Sequence, residues 1–307
     1  MATGAAVKSV NAVGIHKRLQ KVGIPRGARD LVVAGAKRMM APGEEEKRKQ
    51  FLAFVEKPRC VDFETFQKAG AGYLDVAALP QAEAATQEAQ ALLAELNANG
   101  KVEKPASERK RDFLVRLAGH TELMARRQIA QFVLSDELLS LASHYLGQVP
   151  VLSRFDMWWS PVNDTMSESQ FYHYDGEDET QLKIILYLNE VDERNGPFTL
   201  VSAQDSEKVK STKVFSQRRS ERLDDDTVER LAGKDAVLQI VGPPGTVAAC
   251  DTSRCLHYGS RAKSGDRFIL MAQFTKFLCP KSLAPDWGLE GRTDAFNPLQ
   301  KLVLNVN

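Results

Sequence analysis

A mainly β fold with added helices is predicted here: an antiparallel sandwich or jelly roll preceded by an N-terminal helical region. Three observations lead to it. After Pro150 the chain breaks into short runs rich in β-branched, aliphatic and aromatic residues. Those runs are punctuated by Asn195-Gly196-Pro197, Gly242-Pro243-Pro244-Gly245 and Ser264-Gly265-Asp266. No long helical pattern separates them, so the strands return antiparallel on one another and do not form βαβ units.

Taken in order, residues 1–58 read as a peripheral basic helical arm. It holds a short helix around Val13–Lys21, a Gly-Ile-Pro-Arg-Gly break, a second helical stretch and the charged run Glu44–Lys49. Gly72–Val76 is a short strand candidate. Residues 82–98, rich in Ala, Glu and Leu, form a helix that Asn97-Ala98-Asn99-Gly100 stops. Residues 101–111 are charged and read as an exposed loop or helix start. Apolar residues recur at helical spacing through Phe113–Leu134, and Ser135 or Asp136 caps a helix running to Leu146 before Gly147. The strand candidates are Val149–Ser160, the short extended Phe171–Asp175, Leu182–Val191, Phe198–Val201, Ala236–Val241, Thr246–Cys250 and Phe268–Phe277. A helix at Asp224–Leu231 sits in the non-strand insertion 203–235. The domain expectation is a β domain over 59–280, with the helices of 60–148 packed on it, followed by a C-terminal tail at 281–307.

Composition narrows the function. With 41 basic and 40 acidic residues among 307 the net charge is +1, which argues against a nucleic-acid or membrane-surface partner. No apolar run approaches the ~20 residues of a membrane span. The four cysteines, Cys60, Cys250, Cys255 and Cys279, show no CxxC spacing, and reduced thiols in a cytoplasmic protein are the simplest reading. The first 29 residues contain Lys8, Lys17, Arg18, Lys21, Arg26 and Arg29 and no acid. Organelle targeting is therefore an alternative, with a solvated basic arm preferred because serine is scarce and Pro25 breaks any long amphipathic helix.

The chemistry-bearing residues are His173-Tyr174-Asp175, His257 and Arg267. Side chains at i and i+2 of an extended segment share a face, about 6–7 Å apart along the backbone, so His173 and Asp175 can converge on one ion. His257 is the candidate third ligand, because His16, His120 and His144 fall in the helical part. Two imidazoles and one carboxylate are the facial ligand set of non-haem Fe(II), with coordination positions left open. A lone His-x-Asp is common by chance, and a buried histidine is usually a satisfied core residue. The set gains weight from its place inside the β block and from the arginine ten residues after the distal histidine.

Residues ~150–277 resemble the phytanoyl-CoA dioxygenase-like branch of the Fe(II)/2-oxoglutarate-dependent oxygenases. The matching stretches are YHYDGED (172–178), KIILYLNEVDERNGPF (183–198), and GPPGTVAACDTSRCLHYGSR with GDR (242–267). Less specifically, Gly72–Gly100 looks like the family's opening strand and helix. The resemblance implies a double-stranded β-helix, the cupin-like form of the jelly roll. It also implies iron on His173, Asp175 and His257, and 2-oxoglutarate on Arg267. Two departures stand out. Gly259 occupies the position where the family often has Ser or Thr, with Ser260 one residue further. The Pro-Gly-Ser-His that usually follows the NGPF turn is replaced by Ser202-Ala203-Gln204-Asp205.

Further candidates are weaker. Lys183, Ile185 and Tyr187 share one strand face, so Lys183 or Tyr187 is placed to meet a 2-oxoglutarate carboxylate; otherwise Lys183 snorkels outward. Trp158 and Trp159 point to opposite faces, and Trp158 is taken as the pocket wall. Arg218, with Arg219 and Arg222, is a candidate for a substrate anion, against the blander reading of a solvated basic loop. Cys250 and Cys255 read as structural thiols. The expected activity is hydroxylation of a small molecule using dioxygen, or less often desaturation or ring formation, because related halogenases lack the carboxylate that Asp175 supplies. The alternatives are a cupin-like metal enzyme without 2-oxoglutarate, or a non-catalytic metal-binding sensor on the same scaffold. Substrate identity and oligomeric state have no residue signature.

Overall fold

Among the described residues, nine strands form two antiparallel sheets. The computed structural model describes residues 18–19, 21–23, 26–104, 113–212, 222–279 and 285–306. The strands are β1 (Ala71–Tyr73), β2 (Val115–Ala118), β3 (Val151–Ser160), β4 (Gln181–Tyr187), β5 (Phe198–Val201), β6 (Val237–Ile240), β7 (Val247–Cys250), β8 (His257–Tyr258) and β9 (Arg267–Thr275). The large sheet runs β1-β7-β4-β9-β3-β2 and the small one β6-β5-β8. Neighbours are far apart in sequence, and this is the jelly-roll arrangement expected.

The strands look continuously apolar because both faces of the large sheet are covered. Leu182, Ile184 and Leu186 of β4, with Leu270, Ala272 and Phe274 of β9, pack in the main core against the helices Gln81–Ala98, Arg127–Val133 and Asp136–Leu146. The alternate residues face the small sheet, where Ile185, Tyr187 and Ile269 meet Phe198, Leu200 and Ile240. β9 is the spine, paired with β3 on one side and β4 on the other. Its register places Arg267 beside Ser160, Ile269 beside Trp158 and Gln273 beside Lys183.

The helix at Asp136–Leu146 starts at Ser135 and ends on Gly147 with φ 69°, a left-handed conformation that glycine adopts cheaply. Other elements differ from expectation. The helical spacing of Phe113–Leu134 conceals β2, which pairs with the free edge of β3, and two short helices, His120–Met124 and Arg127–Val133, follow it. Tertiary pairing overrides a local period here. The strand expected to reach Val191 stops at Tyr187, because the side chain of Asn189 takes over, accepting from Phe268 N at 2.8 Å and donating to Asp266 O at 2.8 Å. Ser202–Asp205, which breaks the family pattern, caps a helix at Ala203–Lys210 in which Ser202 Oγ accepts from Asp205 N.

Described residues on both sides of the β block pack into this body. Buried Lys37 donates to Phe277 O and Cys279 O at 2.9 and 2.6 Å, and buried Arg48 donates to Pro150 O at 2.9 Å. The helix Pro298–Leu304 buries Leu302, Val303 and Leu304, and Trp287 Nε1 donates to Leu304 O. No described helix is long and apolar enough to cross a membrane. The expected helix at Val13–Lys21 falls largely outside the described residues.

Candidate metal centre

His173 and His257 are brought together by the backbone itself. Each donates its N–H to the other's carbonyl, at 3.0 and 3.1 Å, in an isolated antiparallel bridge. Asp175 is held next to them by its own N–H, which donates to Thr252 O at 2.8 Å. One ligand atom from each of His173, Asp175 and His257 lies within 4.8 Å of the others. The imidazole Nε2 atoms stand 3.7 and 3.6 Å from the two carboxylate oxygens of Asp175.

The tautomers follow from the partners. His173 Nδ1 lies 2.8 Å from Phe171 O and His257 Nδ1 lies 3.0 Å from Cys255 O. A carbonyl only accepts, so each Nδ1 carries the proton and each Nε2 presents a lone pair to the shared centre. Burial lowers both histidine pKa values, and that of His257 falls to about 3. Burial alone would raise Asp175, but the ammonium of Lys183 and then the two imidazoles hold its carboxyl well below the usual range. Lys183 Nζ donates to Asp175 Oδ2. Two neutral imidazoles and one carboxylate suit a divalent first-row metal, and the lysine keeps the carboxylate charged and oriented.

A pH dependence follows. Above pH 6.5 the His257 ring is neutral in folded and unfolded chains alike. Below 6.5 only the unfolded ring takes a proton until about pH 3, so stability falls as pH drops through that window, by about 1.4 kcal/mol per unit at most. Urea midpoints of the metal-free protein should therefore fall between pH 6.5 and 4, and fall less in His257→Asn. Equal slopes in the two would contradict the assignment.

The triad opens into a cavity of about 570 Å³, a size typical of small-molecule sites. At its inner end Arg267 is 3% exposed, and no carboxylate among the described residues pairs with it. Its Nη1 donates to Gly196 O at 2.6 Å, its Nη2 reaches Ser160 Oγ at 3.1 Å and Ser260 Oγ at 3.2 Å, and its Nε has no partner. A buried guanidinium with only neutral partners is expensive, and the usual remedy is an anion.

The backbone around Arg267 is shaped to hold it. Gly196 has φ 67° and its carbonyl faces the guanidinium; a Cβ there would stand 2.5 Å from Ala262 N, so the Asn-Gly-Pro turn requires glycine. A Cβ at Gly259 would lie 3.3 Å from Arg267 Nη2, a tight contact that would press on the guanidinium. Ser260 supplies the hydroxyl instead from φ 65°, with its carbonyl taken by Asn163 and by buried Gln170 at 3.1 and 3.0 Å.

Of the other candidates, Lys183 and Trp158 line the cavity. Trp159 packs on the opposite face, stacked on Phe268, and donates to Asp266. Tyr187 does not line it: its hydroxyl donates to Ile240 O at 2.6 Å, and the buried ring stands close enough to interact with the guanidinium. Tyr187 thus braces Arg267 from under the small sheet. Arg218 lies outside the described residues. Arg222 lines the cavity with Nη2 on Glu168 at 2.9 Å. All of Cys60, Cys250, Cys255 and Cys279 are free and buried. Ser160, Gly196, Arg154 and Glu177 were not singled out from the sequence. For Ser160 the signal was its alternation with Trp158; for Gly196, the Asn-Gly-Pro turn.

No protein-family model matches the sequence, and no curated protein matches it. Solved structures do match. EctD from S. alaskensis, with 2-oxoglutarate and 5-hydroxyectoine, superposes with TM-score 0.51 at 16% identity over 83% of this chain and 91% of that one. The same protein with bound Fe gives TM-score 0.50 at 18% identity over 76% and 86%. AviO1 from Streptomyces viridochromogenes Tue57 gives 0.48 at 15% identity over 75% and 100%. At these identities the EctD likeness establishes the fold: the chain has a jelly roll with flanking helices, shared with EctD.

Proposed function

We propose that the chain is an Fe(II)/2-oxoglutarate-dependent dioxygenase that hydroxylates a C–H bond of a small-molecule substrate. One observation carries this reading. A buried arginine without an anionic partner shares a cavity with two imidazole lone pairs and a carboxylate converging on one point. A dicarboxylic acid that chelates a metal at one end fits both needs. EctD, of the same fold, is known with Fe and with 2-oxoglutarate, which supports the choice of metal and cosubstrate.

His173 Nε2, His257 Nε2 and Asp175 would hold the iron. Arg267 would grip the far carboxylate of 2-oxoglutarate through its planar fork, with the Ser160 and Ser260 hydroxyls beside it. When bound, the iron supplies the oxidising chemistry: dioxygen gives one atom to the substrate and one to succinate, with carbon dioxide released. The protein's part is to leave one face of the ligand set open, hold Asp175 by Lys183, and keep water away with Trp158, Ile269, Met271 and Phe113.

The test is succinate formation. Protein loaded with Fe(II) and supplied with 2-oxoglutarate and air should release succinate slowly even without substrate, and none under argon or with Zn(II). A metal-dependent activity without succinate would favour the cupin-like alternative. No turnover of any kind, with metal bound, would favour a sensor.

A further inference from the structure

The charges lining the cavity do not cancel in pairs, and the remainder names a substrate feature. Lys183 is matched by Asp175 and Arg222 by Glu168 at 2.9 Å, while half-exposed Arg154 reaches Asp156 only at 3.9 Å, a carboxylate that Arg116 already holds at 2.8 Å. Besides Arg154, two groups are left over. One is the cation Arg267, which the proposed cosubstrate satisfies. The other is the anion Glu177. It lies two residues beyond Asp175 and lines the same cavity, and its Oε2 is buried with no hydrogen-bond partner. No cation among the described residues pairs with it. Its backbone is tied down, with the Cys279 thiol donating to Glu177 O at 3.3 Å. A buried carboxylate oxygen with nothing to accept is costly unless a ligand supplies the donor.

The neighbouring wall is mostly apolar, formed by Met271, Phe113, Leu114 and Trp158, whose Nε1 is also without a partner. The pocket therefore offers an apolar surface beside one unmatched negative charge. Resting on the oxygenase reading above, we propose that the substrate carries a cationic nitrogen on an apolar body, and that Glu177 receives that nitrogen. The residue then orients the substrate toward the open face of the ligand set and selects amines over alcohols and acids of the same shape.

The test uses protein loaded with Zn(II) and 2-oxoglutarate, which does not turn over. Binding of 1-hexylamine, 1-hexanol and hexanoate is compared by saturation-transfer NMR. An ammonium–carboxylate hydrogen bond implies a preference for the amine over the alcohol of roughly tenfold to a hundredfold. Glu177→Gln should bring the two to parity while leaving the melting shifts caused by Zn(II) and by 2-oxoglutarate unchanged. If those shifts are present in the wild type and hexanol or hexanoate binds as well as hexylamine, the inference is overturned and the oxygenase reading stands. If Zn(II) and 2-oxoglutarate cause no shift, the oxygenase reading falls and takes this inference with it. Should Glu177→Gln fail to fold, the wild-type comparison decides alone.

Discussion

Arg267→Ala should raise the 2-oxoglutarate requirement by about two to three orders of magnitude. Removing one partner of a buried ion pair costs about 3–5 kcal/mol, and each 1.4 kcal/mol is a factor of ten. The site magnifies the loss, because the groups that hydrogen-bond Arg267 among the described residues are the Ser160 and Ser260 hydroxyls and the Gly196 carbonyl. None of them carries charge. Arg267→Lys should recover part of the affinity, since a point charge survives and the bidentate fork does not. Calorimetric titration of the Zn(II)-loaded variants with 2-oxoglutarate reads this directly. Unchanged affinity in Arg267→Ala would mean that the cosubstrate, if there is one, is anchored elsewhere.

Asp175→Ala should weaken divalent metal binding by at least about a thousandfold and end succinate formation. Two effects add. The only anionic donor of the set disappears, and Lys183, 12% exposed at its side chain, loses its partner and becomes a bare cation facing the incoming ion. Lys183→Met in the same background removes the second effect, so the double variant should bind metal better than Asp175→Ala alone. Co(II) titration followed by absorbance distinguishes the three proteins. Retained turnover in Asp175→Ala would mean that iron is held by other residues.

Much of this site was visible from the residues alone, because its parts are local. The His173-x-Asp175 spacing, the strand at Phe198–Val201, the helix stopped by Gly147 and the Asn-Gly-Pro turn are each readable within a few residues of chain. What could not be read is register. Nothing near Ser160 says that it will lie opposite Arg267, and nothing in β4 says that Lys183 will find Asp175. Both depend on how strands distant in sequence slide against each other before locking. β2 was hidden for a related reason: its partner, the edge of β3, lies more than thirty residues downstream, while its own sequence keeps a helical period.

The mutual hydrogen bonds between His173 and His257 have a consequence for how the protein holds together. An ion gripped by both rings would clip together two stretches of chain that are already zipped at that point. Folding energy and ion affinity would then draw on the same closure, in proportion to the free ion over its dissociation constant. Starving such a protein of iron would do more than silence it: the strand ends around the clip would be the place where the barrel begins to come apart.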